Sequence, residues 1–217
     1  MIKRLEHHIG TYRMKKIRTN KSNSHIALLL IDNLLNKYSL QIFDADLKRT
    51  NKINLHYLPT DLFLDDSGVY VKSSNSNTLF HKYNYSLDHI RSFGQTNDSK
   101  KPFHIPKDLT ALSIENDKMF FIDYNHLKLR VFCETNGKVL QSIDFGDKNC
   151  LFYIDKSGGK IYILNENKNV IEVYNLNGVL LSEKHIEQRI QSIDAFFVSN
   201  NDQISIIDKR NHFIYMF

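Results

Sequence analysis

The sequence predicts an all-β fold, a β-propeller of four-stranded antiparallel blades, and three observations carry that prediction. An apolar run ending in Asp or Asn, a polar turn, and a second run closing on an aromatic recur along the 217 residues: Met119–Asp123 with Leu129–Phe132, Lys160–Asn165 with Val170–Tyr174, and Gln203–Asp208 with Phe213–Phe217. The polar residue and the closing aromatic stand nine positions apart in all three, and Phe132, Tyr174 and Phe217 follow one another at 42 and 43 residues. Asn-Gly returns at one blade position, as Asn136-Gly137 and Asn177-Gly178, where a hairpin turn is due. A fixed period of this length means stacked supersecondary units, and four strands to a period is a propeller blade. A propeller is a platform with many uses, so the period speaks to architecture before function.

Each blade's strands are lettered a to d from the propeller axis outward. Blade 1, residues 13–53, takes Met14–Ile17, Ile26–Ile31, Leu40–Phe43 and a d strand near Leu47–Ile53. Its anchors Asp32 and Phe43 lie eleven apart, and Leu34, Leu35 and Leu40 allow a short helical turn there. Blade 2, residues 59–94, takes Asp61–Leu64, Gly68–Val71, Leu79–Tyr83 and Ile90–Phe93, with Ser73–Asn77 in an expanded b–c loop. Blade 3, residues 106–146, takes Leu109–Ile114, Met119–Ile122, Leu129–Phe132 and Lys138–Phe145. Blade 4, residues 150–186, takes Leu151–Ile154, Ile161–Leu164, Val170–Tyr174 and Val179–Ile186. The last unit, residues 190–217, supplies Ile190–Val198, Ile204–Ile207 and Phe213–Phe217, but no d strand. Native proteins avoid a raw sheet edge. Either Met1–Tyr12 adds the closing strand of a five-bladed ring, or the chain is an incomplete six-bladed propeller. On both readings residues 1–217 form a single propeller domain.

The formal charge is +5, but it is unevenly placed. Residues 1–21 hold seven basic side chains against Glu6 alone, while the remainder carries 22 basic and 23 acidic residues. A basic segment on a neutral body is a local feature, which a solvated or strand-edge role accounts for more simply than nucleic acid or an anionic membrane. Cys133 and Cys150 offer neither a CxxC pair nor metal-ligand spacing; one closes a third strand and the other opens the next blade, so two free thiols in a reducing compartment are expected. The N-terminus lacks a signal-peptide apolar stretch, and the longest aliphatic run, Ile26–Ile31, is too short to span a bilayer. The chain reads as a soluble cytoplasmic monomer with no membrane partner.

Pro106–Leu112, Met119–Asp123, Arg130–Phe132, Gly137 and Phe145-Gly146 resemble an NHL repeat in its order: Pro, an apolar strand, a strand ending in Asp, a polar turn, Arg-apolar-aromatic, Gly, Phe-Gly. Pro59–Asp61 and Arg91–Gly94 echo it in blade 2, so the resemblance covers residues 59–217 and touches residues 1–58 only weakly. NHL repeats usually place Asn or His shortly before Arg in the b–c turn. Blade 3 has Asn125-His126 before Arg130, whereas blade 4 has Asn167-Lys168-Asn169 and no Arg. Such propellers usually have six blades, against about five here. WD repeats fit less well, because the chain has no Trp.

The b–c and d–a connections open on one face, because antiparallel strands return to it at alternate turns. Binding-face candidates there are Lys100, Lys101, Phe103 and His104 in the longest d–a connection, with Tyr124, His126, Lys128, Lys168, Lys209, Arg210 and His212 in b–c turns. Cations interleaved with aromatics are what phosphate contact and base stacking require. The resemblance implies that this face binds a protein partner or, in some relatives, single-stranded RNA, here with Arg13, Lys15, Lys16 and Arg18 assisting from one side. It also admits an enzyme using the axial channel with a bound metal. The strand-end residues Asp32, Asp123, Asn165 and Asp208 read as caps of their own turns rather than a metal ring. The ten histidines include no HxH or HxxxH, and no GxSxG, P-loop or GxGxxG occurs. The expected function is therefore a non-catalytic interaction module, with no catalytic residue, no metal ligand and no cofactor.

Overall fold

The computed structural model describes residues 12–20, 23–32, 34–74, 78–95, 105, 109–115, 117–147, 150–155, 159–187, 193–199, 201, 203–208, 210 and 213–217. Among these, the strands form five successive sheets, four of four strands and one of three, each built from neighbours in sequence. Blade 1 is β1 (Tyr12–Thr19), β2 (Ile26–Asp32), β3 (Lys37–Phe43) and β4 (Arg49–Leu55). Blade 2 is β5 (Pro59–Asp65), β6 (Gly68–Ser73), β7 (Thr78–Tyr83) and β8 (His89–Gln95). Blade 3 is β9 (Thr110–Glu115), β10 (Lys118–Asp123), β11 (Lys128–Cys133) and β12 (Val139–Asp144). Blade 4 is β13 (Cys150–Asp155), β14 (Lys160–Asn165), β15 (Val170–Asn175) and β16 (Leu180–His185). Blade 5 is β17 (Ile193–Val198), β18 (Ile204–Asp208) and β19 (Phe213–Met216). The chain is a five-bladed, all-β propeller, and no sixth sheet occurs among the described residues.

Burial follows strand position. The b strands β10 and β14 are buried from their second residue to their last, which is why they read as unbroken apolar runs and not as alternating ones. The d strand β16 is exposed along its whole length, its first two residues Leu180 and Leu181 included, so apolar pattern marks its boundaries only faintly in sequence. The eleven-residue spacing in blade 1 has a simple origin. Asp32 pairs with Lys37 as Asn165 pairs with Val170, so the b–c turns are equal, and β3 is merely longer before it reaches Phe43. The short helix allowed by Leu34 and Leu35 is absent, because residues 34–36 make a plain turn whose last member, Asn36, has φ 50°. Tyr12 is the first residue of β1, paired with Asp32, and not part of a separate closing strand; the rest of that expected strand, residues 1–11, lies outside the described residues.

One turn design joins c to d. In blade 4, Asn175 and Val179 close a three-residue loop with Gly178 at φ 74°, and the Asn175 side chain accepts the Asn177 and Val179 amides. Blades 1 and 2 close the same loop at Asp44–Lys48 and Asn84–Asp88, but with Leu47 (φ 63°) and Leu87 (φ 66°) at the left-handed position. A left-handed Leu is strained. At Leu87 the strain is offset by burial of its side chain in a hydrophobic core.

The chain packs as two compact units, residues 1–107 with 114–118 and 134–138, and residues 108–113 with 119–133 and 139–217. The first has its core between blades 1 and 2, where Leu29, Leu40 and Ile42 meet Leu62, Leu64, Val69 and Val71. The basic residues of β1 work at this boundary: Lys15 Nζ donates to the Pro59 carbonyl at 2.7 Å, and Lys16 and Arg18 lie 3.4 and 3.7 Å from Asp61. They therefore face blade 2, and this is the strand-edge role; exposed pairs of this kind add little stability. Among its described residues the second unit holds two hydrophobic clusters. Phe120, Ile122, Leu129 and Val131 pack with Ile161 and Ile163, while Tyr162, Leu164, Ile171 and Val173 pack with Phe196, Val198, Ile204 and Ile206.

Candidate functional site

The b–c turns are set by one buried polar residue at the end of each b strand. Asp32 Oδ1 accepts the Leu34 and Leu35 amides at 3.0 and 3.2 Å, Asn165 Oδ1 the Lys168 amide at 3.0 Å, and Asp208 Oδ1 the Arg210 amide at 3.0 Å. Blade 2, where the sequence shows no anchor of this kind, uses Ser73, whose hydroxyl donates to the Thr78 carbonyl at 2.7 Å. All are buried, so each satisfies turn donors or acceptors that would otherwise be costly. These side chains fold onto their own turns. Among the described residues no group of three His, Cys, Asp or Glu gathers as metal ligands.

Blade 3 elaborates the cap. Asp123 accepts the His126 amide at 3.1 Å, faces His126 Nδ1 at 2.9 Å, and receives Arg130 Nε at 2.8 Å and Arg130 Nη2 at 2.7 Å. Burial acts to raise the Asp123 carboxyl, but the Arg130 and His126 hydrogen bonds outweigh it and hold it below the ordinary range. The His-before-Arg spacing of this turn thus serves to clamp a carboxylate, while the His126 ring edge stays in solvent, 64% exposed.

Around that turn the second unit assembles a continuous surface. Tyr124, 38% exposed, packs edge-on to Phe145 at 6.5 Å. The Phe145 amide bonds the Leu127 carbonyl at 3.1 Å, which ties the end of blade 3 to its own b–c turn. Gly146 and Asp147 follow, and blade 4's b–c turn lies against them: Asn167 Nδ2 donates to Asp147 Oδ2 at 2.6 Å, and Lys168 Nζ passes close to Gly146. Lys128 is paired with Asp144 at 3.2 Å across β11 and β12. Burial raises the Glu166 carboxyl at the start of the blade 4 turn. Tyr124, Lys128 and Lys168 thus each reach the segment 144–147, at Phe145, Asp144 and Gly146, while His126 lies on Asp123. Arg210 is exposed in the matching turn of blade 5. Lys100, Lys101, Phe103, His104, Lys209 and His212 lie outside the described residues.

Both cysteines are free, as the spacing implies. Burial first, then Asp147 and Glu172, push the Cys150 thiol up to about 12, so it is not a nucleophile at neutral pH. Two polar clusters in the first unit are not visible in the sequence. Glu134 is buried against Lys82 and Arg91, and His81 and His89 meet at Ser92. Arg91 and Ser92 belong to the Arg-Ser-Phe-Gly mark of blade 2; the rest depends on cross-strand register.

No family model matches the chain, and no curated protein sequence does. Solved structures match its fold. Hsv2 of Kluyveromyces lactis superposes with a TM-score of 0.61 at 16% identity, covering 94% of this chain and 60% of that one. The WD40 β-propeller domain of Doa1 gives 0.56 at 11% identity over 93% of this chain and 62% of that one. A streptogramin B lyase gives 0.54 at 10% identity over 94% and 68%. The chain thus spans about three fifths of the length of the first of these propellers. Identities this low speak to the fold alone. No helix among the described residues is long and apolar enough to cross a membrane.

Proposed function

We propose that this chain is a non-catalytic interaction module, an NHL-like propeller that binds a protein partner through the b–c turn face around Tyr124, His126, Lys128, Lys168 and Arg210. The observation that carries this reading is the mixed charge of that face. Lys128 is matched by Asp144, and Arg130 and His126 by Asp123, while Asp147 accepts from Asn167 in the turn whose Lys168 reaches Gly146. A strand of RNA needs a groove with uncompensated cations along its backbone. A face of alternating signs around an exposed Tyr has the rim-and-anchor character of a protein interface.

The experiment places a benzophenone amino acid at Tyr124, and in a second protein at Leu181 on the exposed strand β16, and irradiates both in their native cells. The expected result is a discrete protein adduct at Tyr124 that is lost in a Lys168→Glu/Arg210→Glu background and absent at Leu181. In parallel, homopolymer RNA is titrated at roughly 50 and 200 mM salt, a range over which several phosphate contacts cost a factor of about a thousand or more. Tight RNA binding that collapses over this range, with no protein adduct, would replace this reading by single-stranded RNA recognition.

A further inference from the structure

His81 Nδ1 lies 2.8 Å and His89 Nε2 2.9 Å from the same oxygen, Ser92 Oγ. A bulge makes this possible. His81 pairs with Ser92 and Tyr83 with His89, but the register shifts between Lys82 and Tyr83, so residues 89 and 92, three apart, reach one face of blade 2. Both rings are held in place. His81 stacks on Tyr57 at 3.9 Å and 15°, His89 meets Tyr83 edge-on at 5.4 Å, and the Tyr57 and Tyr83 hydroxyls stand 3.0 Å apart. His89 and Ser92 are open to solvent, so an ion can arrive and keep water in its remaining positions.

We infer that His81 Nδ1, His89 Nε2 and Ser92 Oγ form a chelating site for a borderline divalent transition-metal ion, with Cu(II) bound most tightly. Two imidazole nitrogens converging on one point select zinc, nickel or copper over magnesium or calcium, and copper heads the order of affinities for nitrogen donors. Metal–nitrogen bonds run about 2.0–2.1 Å, so an ion seated beside the Ser92 hydroxyl requires both rings to turn toward it from their present contacts of 2.8 and 2.9 Å with Oγ. Ligands must be unprotonated. His81 Nε2 has no hydrogen-bond partner among the described residues. The outer hydrogen bond that strengthens a structural metal site is therefore missing, and the ion exchanges readily.

The full chain is titrated with Cu(II) and followed by electron paramagnetic resonance, with Zn(II) binding measured by calorimetry. One equivalent of copper showing coupling to two imidazole nitrogens is expected. His89→Ala, an exposed change that leaves the fold intact by circular dichroism, removes one nitrogen and weakens both metals roughly tenfold or more. Ser92→Ala keeps both nitrogens, and His126→Ala changes nothing. A wild-type spectrum without two-nitrogen coupling, or a His89→Ala protein that binds copper as the wild type does, overturns the site.

Discussion

The Glu134 carboxylate, 1% exposed, holds the Lys82 ammonium 3.4 Å from each of its oxygens. Arg91 joins them, bonding the same carboxylate and also the Glu134 and Thr135 carbonyls at 2.8 and 3.3 Å, while Lys82 lies 4.9 Å over the Tyr70 ring. The c–d turn of blade 3 is thereby latched to the outer strands of blade 2. Removing one member of a buried pair strands the other charge, at a cost of about 3–5 kcal/mol. Glu134→Gln is expected to lower the urea midpoint by that equivalent, while Lys82→Met with Glu134→Leu recovers most of it. An unchanged midpoint in the single variant refutes the latch.

The Asp123 clamp gives an acid-sensitive contribution. Its carboxyl titrates below the ordinary 3.8, because the Arg130 and His126 bonds overcome the effect of burial. The unfolded chain takes up that proton first, so the contribution is present in full above about pH 4 and is lost as the pH falls through the lower folded value. Asp123→Asn should unfold at a lower temperature than wild type at pH 7, and the gap should narrow progressively as the pH is taken below 3.8. Parallel melting curves across that range contradict the assignment.

His81 acts in a separate window. Its folded value of about 4 lies below the ordinary 6.5, through burial and then His89. Between those values the unfolded chain binds a proton that the folded chain refuses, so stability declines as the pH drops from about 6.5 to about 4. His81→Gln is expected to flatten the melting temperature over that interval while leaving the drop below pH 4 in place. A slope equal to the wild type's between pH 6.5 and 4 sets the assignment aside.

Gly68 is fixed by its neighbour. A Cβ there would stand 2.1 Å from the Tyr83 carbonyl oxygen, and the residue has φ 154°. Gly68→Ala is expected to cost about 1–3 kcal/mol, by displacing β6 from β7. Chemical denaturation of the purified variant tests it, and a loss under half a kilocalorie, about the noise of such comparisons, speaks against the clash.

What the sequence made visible was whatever each blade encodes locally. The b strands announced themselves as apolar runs closed by Asp123, Asn165 and Asp208, and the strand-end polar residues capped their turns as their chemistry implied. Gly178 marked a left-handed turn position, but Leu47 and Leu87 hid the same turn in blades 1 and 2, since a strained leucine carries no local signature. Ser73 escaped notice because it ties its turn in the opposite sense, donating to the Thr78 carbonyl where the aspartates accept amides. The Glu134 latch and the His81–Ser92–His89 convergence were illegible, because a one-residue bulge and a contact between blades decide them. Of the candidate residues, Tyr124, Lys128 and Lys168 reach Phe145, Asp144 and Gly146, and His126 lies on Asp123, so carboxylates stand among the cations.

The strand-end caps at Asp32, Ser73, Asp123, Asn165 and Asp208 each bond the turn that follows their own strand. A blade can then exchange the solvent-facing letters of its loop without renegotiating the sheet beneath, as a socket accepts different plugs. Recognition can drift by loop grafting at a nearly constant stability, which makes these turns the natural places to install a chosen specificity on this chain.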